Sequence, residues 1–346
     1  MKSPDEPSKD DTIDLELAKI YMHQLNAYDF VTYTRITDEA AEFISKYRGE
    51  SISLNGLTEL SAASAESLSK FRGECISFNA LTELSATAAE SLSKFRGKCI
   101  ALNGMAELSD AAAEALSKHR GQLIMCNLRK LSDAAAESFS KHEDVMLLWC
   151  LGELSDAGAE SLSRHKGHLA LGGLKTLSDA AAEAFSKHQG RLDLDRVAVL
   201  SDAAAESLSR HQGMLSLSGL KELSESAAES FSKHEGELSL NGLTVLSDAA
   251  AESLSKHRGN LSFFGLIRIS DAAAESLSKH HGELWLERIK SLSNAAAKSL
   301  SNYQGKIILW GLREMSDEAC DSFKKSDALI SLSPNNTYHR GLRVPD

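Results

Sequence analysis

The string Leu-Ser-Asp-Ala-Ala-Ala-Glu-Ser-Leu-Ser-Lys-His returns along this chain at an almost constant step, and that return limits the possible folds more than any other feature. One copy starts at Leu246 and the next at Ile269, 23 residues on. From Ile36 to Glu314 the chain divides into three units of 24 residues followed by nine of 23. A fixed period of this size implies a solenoid, because no unit can bury its apolar face except against its neighbours. The 346 residues would otherwise suggest two domains, but the unbroken period argues for one elongated array. Residues 1–35 are expected to form a disordered start and an N-terminal capping helix, 36–314 the repeat solenoid, and 315–346 a C-terminal capping unit and tail.

One unit reads as helix, tight turn, strand, turn. Ser247 is a good helix cap, since its hydroxyl can accept from a first-turn amide, and Asp248 sets negative charge at the positive end of the helix dipole. Ala249, Ala250 and Ala251 are strong helix formers, and Glu252 with Lys256 is an i,i+4 pair in the favourable order. Gly259 is expected to close the helix in the left-handed conformation. Leu261-Ser262-Phe263 alternates with the period of a short strand. Strands separated by one helix each must pair in parallel. Strands pack about 4.8 Å apart and helices about 8–10 Å, so the array should be a curved α/β solenoid with strands on the concave face and helices on the convex face.

At the ends, Asp11 to Leu25 has helical apolar spacing, and Phe30-Val31-Thr32-Tyr33 resembles a degenerate strand ahead of the first unit. Met315 to Lys325 begins a thirteenth helix, Leu329 to Leu332 its strand, and Pro334 to Asp346 a loose tail.

Leu238-x-Leu240 and its equivalents resemble the strand core of the leucine-rich repeat family, over residues 36 to 332. The resemblance is to a short, 23-residue, bacterial-type variant. It departs from the family where the usual repeat carries a buried Asn: here stand Leu243, Leu220 and Val197. With that asparagine ladder missing, the turn after the strand must find its hydrogen bonds elsewhere.

Several function classes are disfavoured. A net charge of −11 argues against a chain built to coat nucleic acid or an anionic membrane. The first ten residues are polar, no run approaches the ~20 apolar residues of a membrane helix, and the five scattered cysteines fit reduced thiols in a cytosol. Cys75 and Cys99, at one strand-start position in adjacent units, are likewise expected as free thiols. No nucleophile elbow, phosphate loop or H-E-x-x-H motif occurs, so no catalytic residue, metal ligand or cofactor is expected. His119, His142, His165, His188, His211, His234, His257 and His280 share one slot in consecutive units and invite a metal or proton-relay reading. The same slot holds Tyr47, Phe71, Phe95 and Tyr303, which argues for a planar packing position on the inward stripe of the helix, 8–10 Å from its neighbours.

The outward strand positions are where units diverge. Most carry small polar residues, such as Ser216, Ser218, Ser239 and Asn241. Against these stand Ile124, Leu147 and Trp149 in one cluster, and Phe264, Trp285, Ile308 and Trp310 in another. Exposed aromatic surface marks partner sites, and Trp is prominent in binding hot spots. The sequence is therefore read as a non-enzymatic, cytoplasmic, monomeric bacterial scaffold that binds a protein or peptide through its concave face. The alternatives are an architectural or self-associating repeat protein and a metal- or pH-responsive module built on the histidines.

Overall fold

The computed structural model describes residues 11–24, 29–326 and 329–332. It divides into two compact units, Met1–Leu171 and Gly172–Asp346. In the first, Ser51–Ser53, Cys75–Ser77, Cys99–Ala101, Gln122–Ile124, Met146–Leu147 and Leu169–Ala170 pair in parallel, each with the next. In the second, Leu192–Asp193, Leu215–Ser216, Leu238–Ser239, Leu261–Ser262, Leu284–Trp285, Lys306–Leu309 and Leu329–Leu332 do the same. One helix lies between successive strands, as Asp248–Leu254 does between Leu238–Ser239 and Leu261–Ser262. Each unit is thus a run of strand–turn–helix repeats on a parallel sheet, as the period requires.

Ser247 caps its helix by accepting from the Ala250 amide at 3.1 Å. The serines also join repeats, since the Ser224 hydroxyl donates to the Asp202 carboxylate of the preceding repeat at 2.6 Å. Ser270 and Ser293 make the same bond to Asp248 and Asp271. The helices are shorter than the sequence suggests. Ser255 ends one, and the Lys256 and His257 amides then bond back three residues, to Ser253 and Leu254, at 3.1 and 3.0 Å. These tighter bonds take the chain off the helical path before the histidine.

The glycine after each histidine does a different job from the expected one. Among the described residues only Gly190 and Gly213 have positive φ, 132° and 133°. At Gly236, Gly259 and Gly282 a Cβ would run into the carbonyl oxygen of the equivalent glycine one repeat earlier. Glycine is needed there because neighbouring repeats touch through their backbones.

Within a repeat, Leu215, Leu217 and Leu220 from the strand and its turn are buried, as are Ala204, Ala205 and Leu208 from the helix before it. Removing each such leucine from water is worth about 1.5–3 kcal/mol, which is how a strand of two residues is held in place.

Three expectations are corrected. Phe30–Tyr33 is not a strand: Asp29–Thr32 is a 3-10 helix, and the strand next to it is Arg35–Ile36, paired with Thr12–Ile13. Tyr33 bonds back to the Phe30 carbonyl and their rings meet edge to face at 6.5 Å, which turns the segment. Cys75 and Cys99 are not free thiols but a disulfide, because the parallel register sets them opposite one another with Cα atoms 4.7 Å apart. Cys126, Cys150 and Cys320 are free. The capping helix is Leu15–Gln24, so it starts later than Asp11, while Leu25 and the tail from Pro334 lie outside the described residues. The final helix, Asp317–Lys324, and strand, Leu329–Leu332, stand where the sequence puts them.

Candidate binding face

Two positions recur in every repeat and carry the chemistry a repeat could offer: the ring slot after the helix and the outward side of the strand. The rings lie closer together than helix spacing implies, because they sit in the turn beyond the helix, where sheet spacing governs. Tyr47, Phe71, Phe95 and His119 stack at 6.4, 6.1 and 6.1 Å between centroids. In the second unit His188, His211, His234, His257 and His280 continue at 5.7 to 6.1 Å, ending on Tyr303. All eight histidines are buried. Burial is the main cause that pushes His119, His165, His211, His257 and His280 down to about 4, and neighbouring histidines add to it for all five. His142 and His234 are also lowered by burial. These seven imidazoles are held towards the neutral form at pH 7. The His257 Nδ1 accepts from the Gly259 amide at 3.1 Å, and the His188 and His211 rings meet nitrogen to nitrogen at 3.4 Å. Among the described residues no three His, Cys, Asp or Glu side chains converge as metal ligands would.

On the strand side of the first unit, Ile124 and Leu147 are register partners on adjacent strands, each half-buried. Trp149, two residues further, is 54% exposed. Ile124 and Leu147 thus lie side by side, and Trp149 stands in the turn that follows Leu147. Beside them the Cys126 thiol is pushed up by burial and then by Cys150.

In the second unit the Phe264 and Trp285 rings stack at 5.8 Å and 26°. The Trp285 indole donates to Glu283 at 3.2 Å, and Glu283 also meets Lys306 at 3.6 Å. Trp310 is 49% exposed, and its N–H donates to the Ser331 hydroxyl at 3.0 Å. Ile308 is the exception in this cluster. It lies between Trp285 and Ser331 in the register, and at 2% exposure it is part of the floor rather than the surface.

The small polar residues between the clusters are working parts that sequence reasoning took for background. Asn55 accepts from the Asn79 amide at 3.1 Å, Asn103 from the Cys126 amide at 2.9 Å, and Asn241 from the Phe264 amide at 2.9 Å. Asp195 accepts from the Ser218 amide at 3.3 Å and from the Ser216 hydroxyl. A carboxamide or carboxylate ladder therefore exists, two positions ahead of where the usual repeat keeps its asparagine. Asn at one strand position in three consecutive units was the signal that could have revealed it. Glu287, half-buried with its carboxyl pushed up by burial, was also missed.

No family model matches this sequence, and no curated protein does either. Solved structures do. An internalin from Listeria monocytogenes superposes with a TM-score of 0.52 at 12% identity, covering 96% of this chain and 94% of that one. A leucine-rich repeat protein of Leptospira interrogans gives 0.54 at 14%, covering 92% and 89%. Drosophila Toll, in its complex with Spatzle, gives 0.53 at 12%, and the match spans 88% of this chain but 41% of Toll. Among the described residues no helix is long and apolar enough to cross a membrane.

Proposed function

We propose that this chain, with its leucine-rich-repeat fold, is a non-enzymatic scaffold that binds a protein or peptide on the outward face of its strands. The observation that carries the reading is the pair of exposed indoles, Trp149 and Trp310, on a face where equivalent positions hold hydrogen-bonded Asn and Asp. A large aromatic left open on an ordered surface loses little conformational entropy on binding and buries much area. Toll, which shares the fold, was solved bound to Spatzle. The absence of catalytic, metal and cofactor sites, and of nucleic acid as a partner, is part of the proposal. Reduced thiols were one ground of the cytoplasmic expectation, and the Cys75–Cys99 bridge removes that one. Counting alkylatable thiols in protein drawn from its native compartment decides the point.

The test is selection of random peptides on the immobilised full chain, followed by affinity measurement with Trp149→Ser and Trp310→Ser variants. A loss of tenfold or more in one variant, with the melting temperature unchanged, supports the reading. If either substitution abolishes only self-association by light scattering, the architectural alternative replaces it.

A further inference from the structure

Glu287 lies in the turn that follows the strand Leu284–Trp285, at the position equivalent to Phe264 one repeat before and Trp310 one repeat after. Successive turns are in backbone contact, the Glu287 carbonyl lying against Gly311, so these three positions are neighbours along the array. The cations of this region that form ion pairs do so elsewhere: Lys306 pairs with Glu283 at 3.6 Å, and no ion pair reaches Glu287 among the described residues. Among the described residues the Glu287 side chain has neither an ion pair nor a hydrogen bond. A carboxylate withdrawn from water without a partner is unfavourable. Burial accordingly pushes the Glu287 carboxyl up.

The aromatic groups beside it are held in place. Trp285 stacks on Phe264 and spends its N–H on Glu283, while Trp310 spends its N–H on Ser331 and leaves the ring half open. A fixed aromatic wall next to an unpaired anion is complementary to a cation, and to a planar one above all. Guanidinium can lie against an indole while its N–H fork meets a carboxylate, whereas a lysine ammonium offers only a point charge.

We propose that the strand face around Glu287 receives an arginine side chain from a protein partner, its guanidinium hydrogen-bonded to the Glu287 carboxylate and laid against Trp310. This rests on the reading of the face as a protein-binding surface and names the residue that surface selects. Phe264 and Trp285 form one side of the slot, and Ile308 forms its floor.

The experiment uses the full chain and peptides selected from a random twelve-residue library displayed on phage. Those that compete for the second-unit face, identified by loss of binding to Trp310→Ser, are expected to share an arginine. Replacing that arginine by glutamine should weaken binding at least tenfold, as should Glu287→Gln in the protein. The two losses should not add when both changes are made, as expected of groups in direct contact. Glu287→Gln should melt no lower than the parent chain, so a failure to fold cannot imitate the result. The inference is overturned if the Trp310-dependent peptides lack arginine, if they carry lysine equally well, or if Glu287→Gln binds them unchanged. In those cases the binding-face reading survives, because Trp310 still matters. If no selected peptide depends on Trp149, Trp310 or Glu287, both fall together.

Discussion

Down the ring column, Tyr47, Phe71, Phe95 and His119 follow one another without disturbing a stack of 6.1 to 6.4 Å, while on the strand face Ser239 is replaced two repeats later by Trp285. Each region is a single position repeated once per turn of the solenoid. They differ in what a substitution must respect. The column is enclosed, its spacing is set by backbone contact at the glycines, and any planar ring of the right thickness fits whatever its chemistry. The face is open on one side, so shape is free and change is limited only by the hydrogen bonds that link neighbouring repeats. Variation in the column therefore alters how the protein responds to its surroundings, and variation on the face alters what it can hold.

The largest expected effect strikes the column. Histidines whose native pKa is depressed to about 4 bind fewer protons folded than unfolded. Stability should be full above the unfolded value of ~6.5 and fall as pH drops towards 4, each such histidine contributing up to about 1.4 kcal/mol per pH unit in that window. A melting temperature followed by circular dichroism should fall steeply from pH 7 to 5. In a His211→Phe, His234→Phe chain the slope should be shallower, because Phe holds the same slot in earlier repeats. A slope unchanged by those substitutions would mean that the column is not what titrates.

Next is Ile308→Ala, which should cost about 2–5 kcal/mol in urea denaturation despite its outward position, because the side chain is enclosed. Trp310→Ser, from the same strand segment, should cost far less, and equal losses would erase the distinction between floor and surface. Gly236→Ala should cost about 1–3 kcal/mol through collision with the Gly213 carbonyl. Gly152→Ala, where nothing lies nearer than 4.0 Å, should be close to neutral by the same measurement. The smallest of the expected losses is at Ser216, buried and bonded to Asp195, where Gly152→Ala serves as the neutral control. Ser216→Ala should remove about 1 kcal/mol, and a neutral outcome would show that the polar ladder is dispensable at that rung.

The limits of sequence reading follow the same division. Every helix and strand of a repeat could be read from Ser, Ala, Leu and Gly at their local spacings, down to the terminal strand Leu329–Leu332. What could not be read were contacts whose partners lie one period away. Asp248 appears as a first-turn charge until Ser270 is brought beside it, and Gly259 as a helix stop until the Gly236 carbonyl lies against it. The period does set Cys75 beside Cys99, and their bridge departs from the assumed reducing compartment, not from the register. Of the candidate site, exposure of Trp149 and Trp310 followed from alternation along the strand. Ile308 alternates in the same way, yet it lies between Trp285 and Ser331 in the register and is 2% exposed, a burial that alternation alone does not foretell.

The displaced ladder of Asn55, Asn103, Asp195 and Asn241 has a consequence for how such a protein can change over generations. The acceptor that ties one repeat to the next occupies the very position at which the proposed docking side chains stand. Wherever a repeat takes Trp, Phe or Glu there, as at Trp149, Phe264, Glu287 and Trp310, it gives up one tie to the following repeat. A net loss of about 1 kcal/mol is small for an array of this length, so a few repeats can be given over to recognition while the rest keep the tie. The docking patch is in this sense transposable: a duplication or loss of one period would carry it along the chain without redesign of the core beneath.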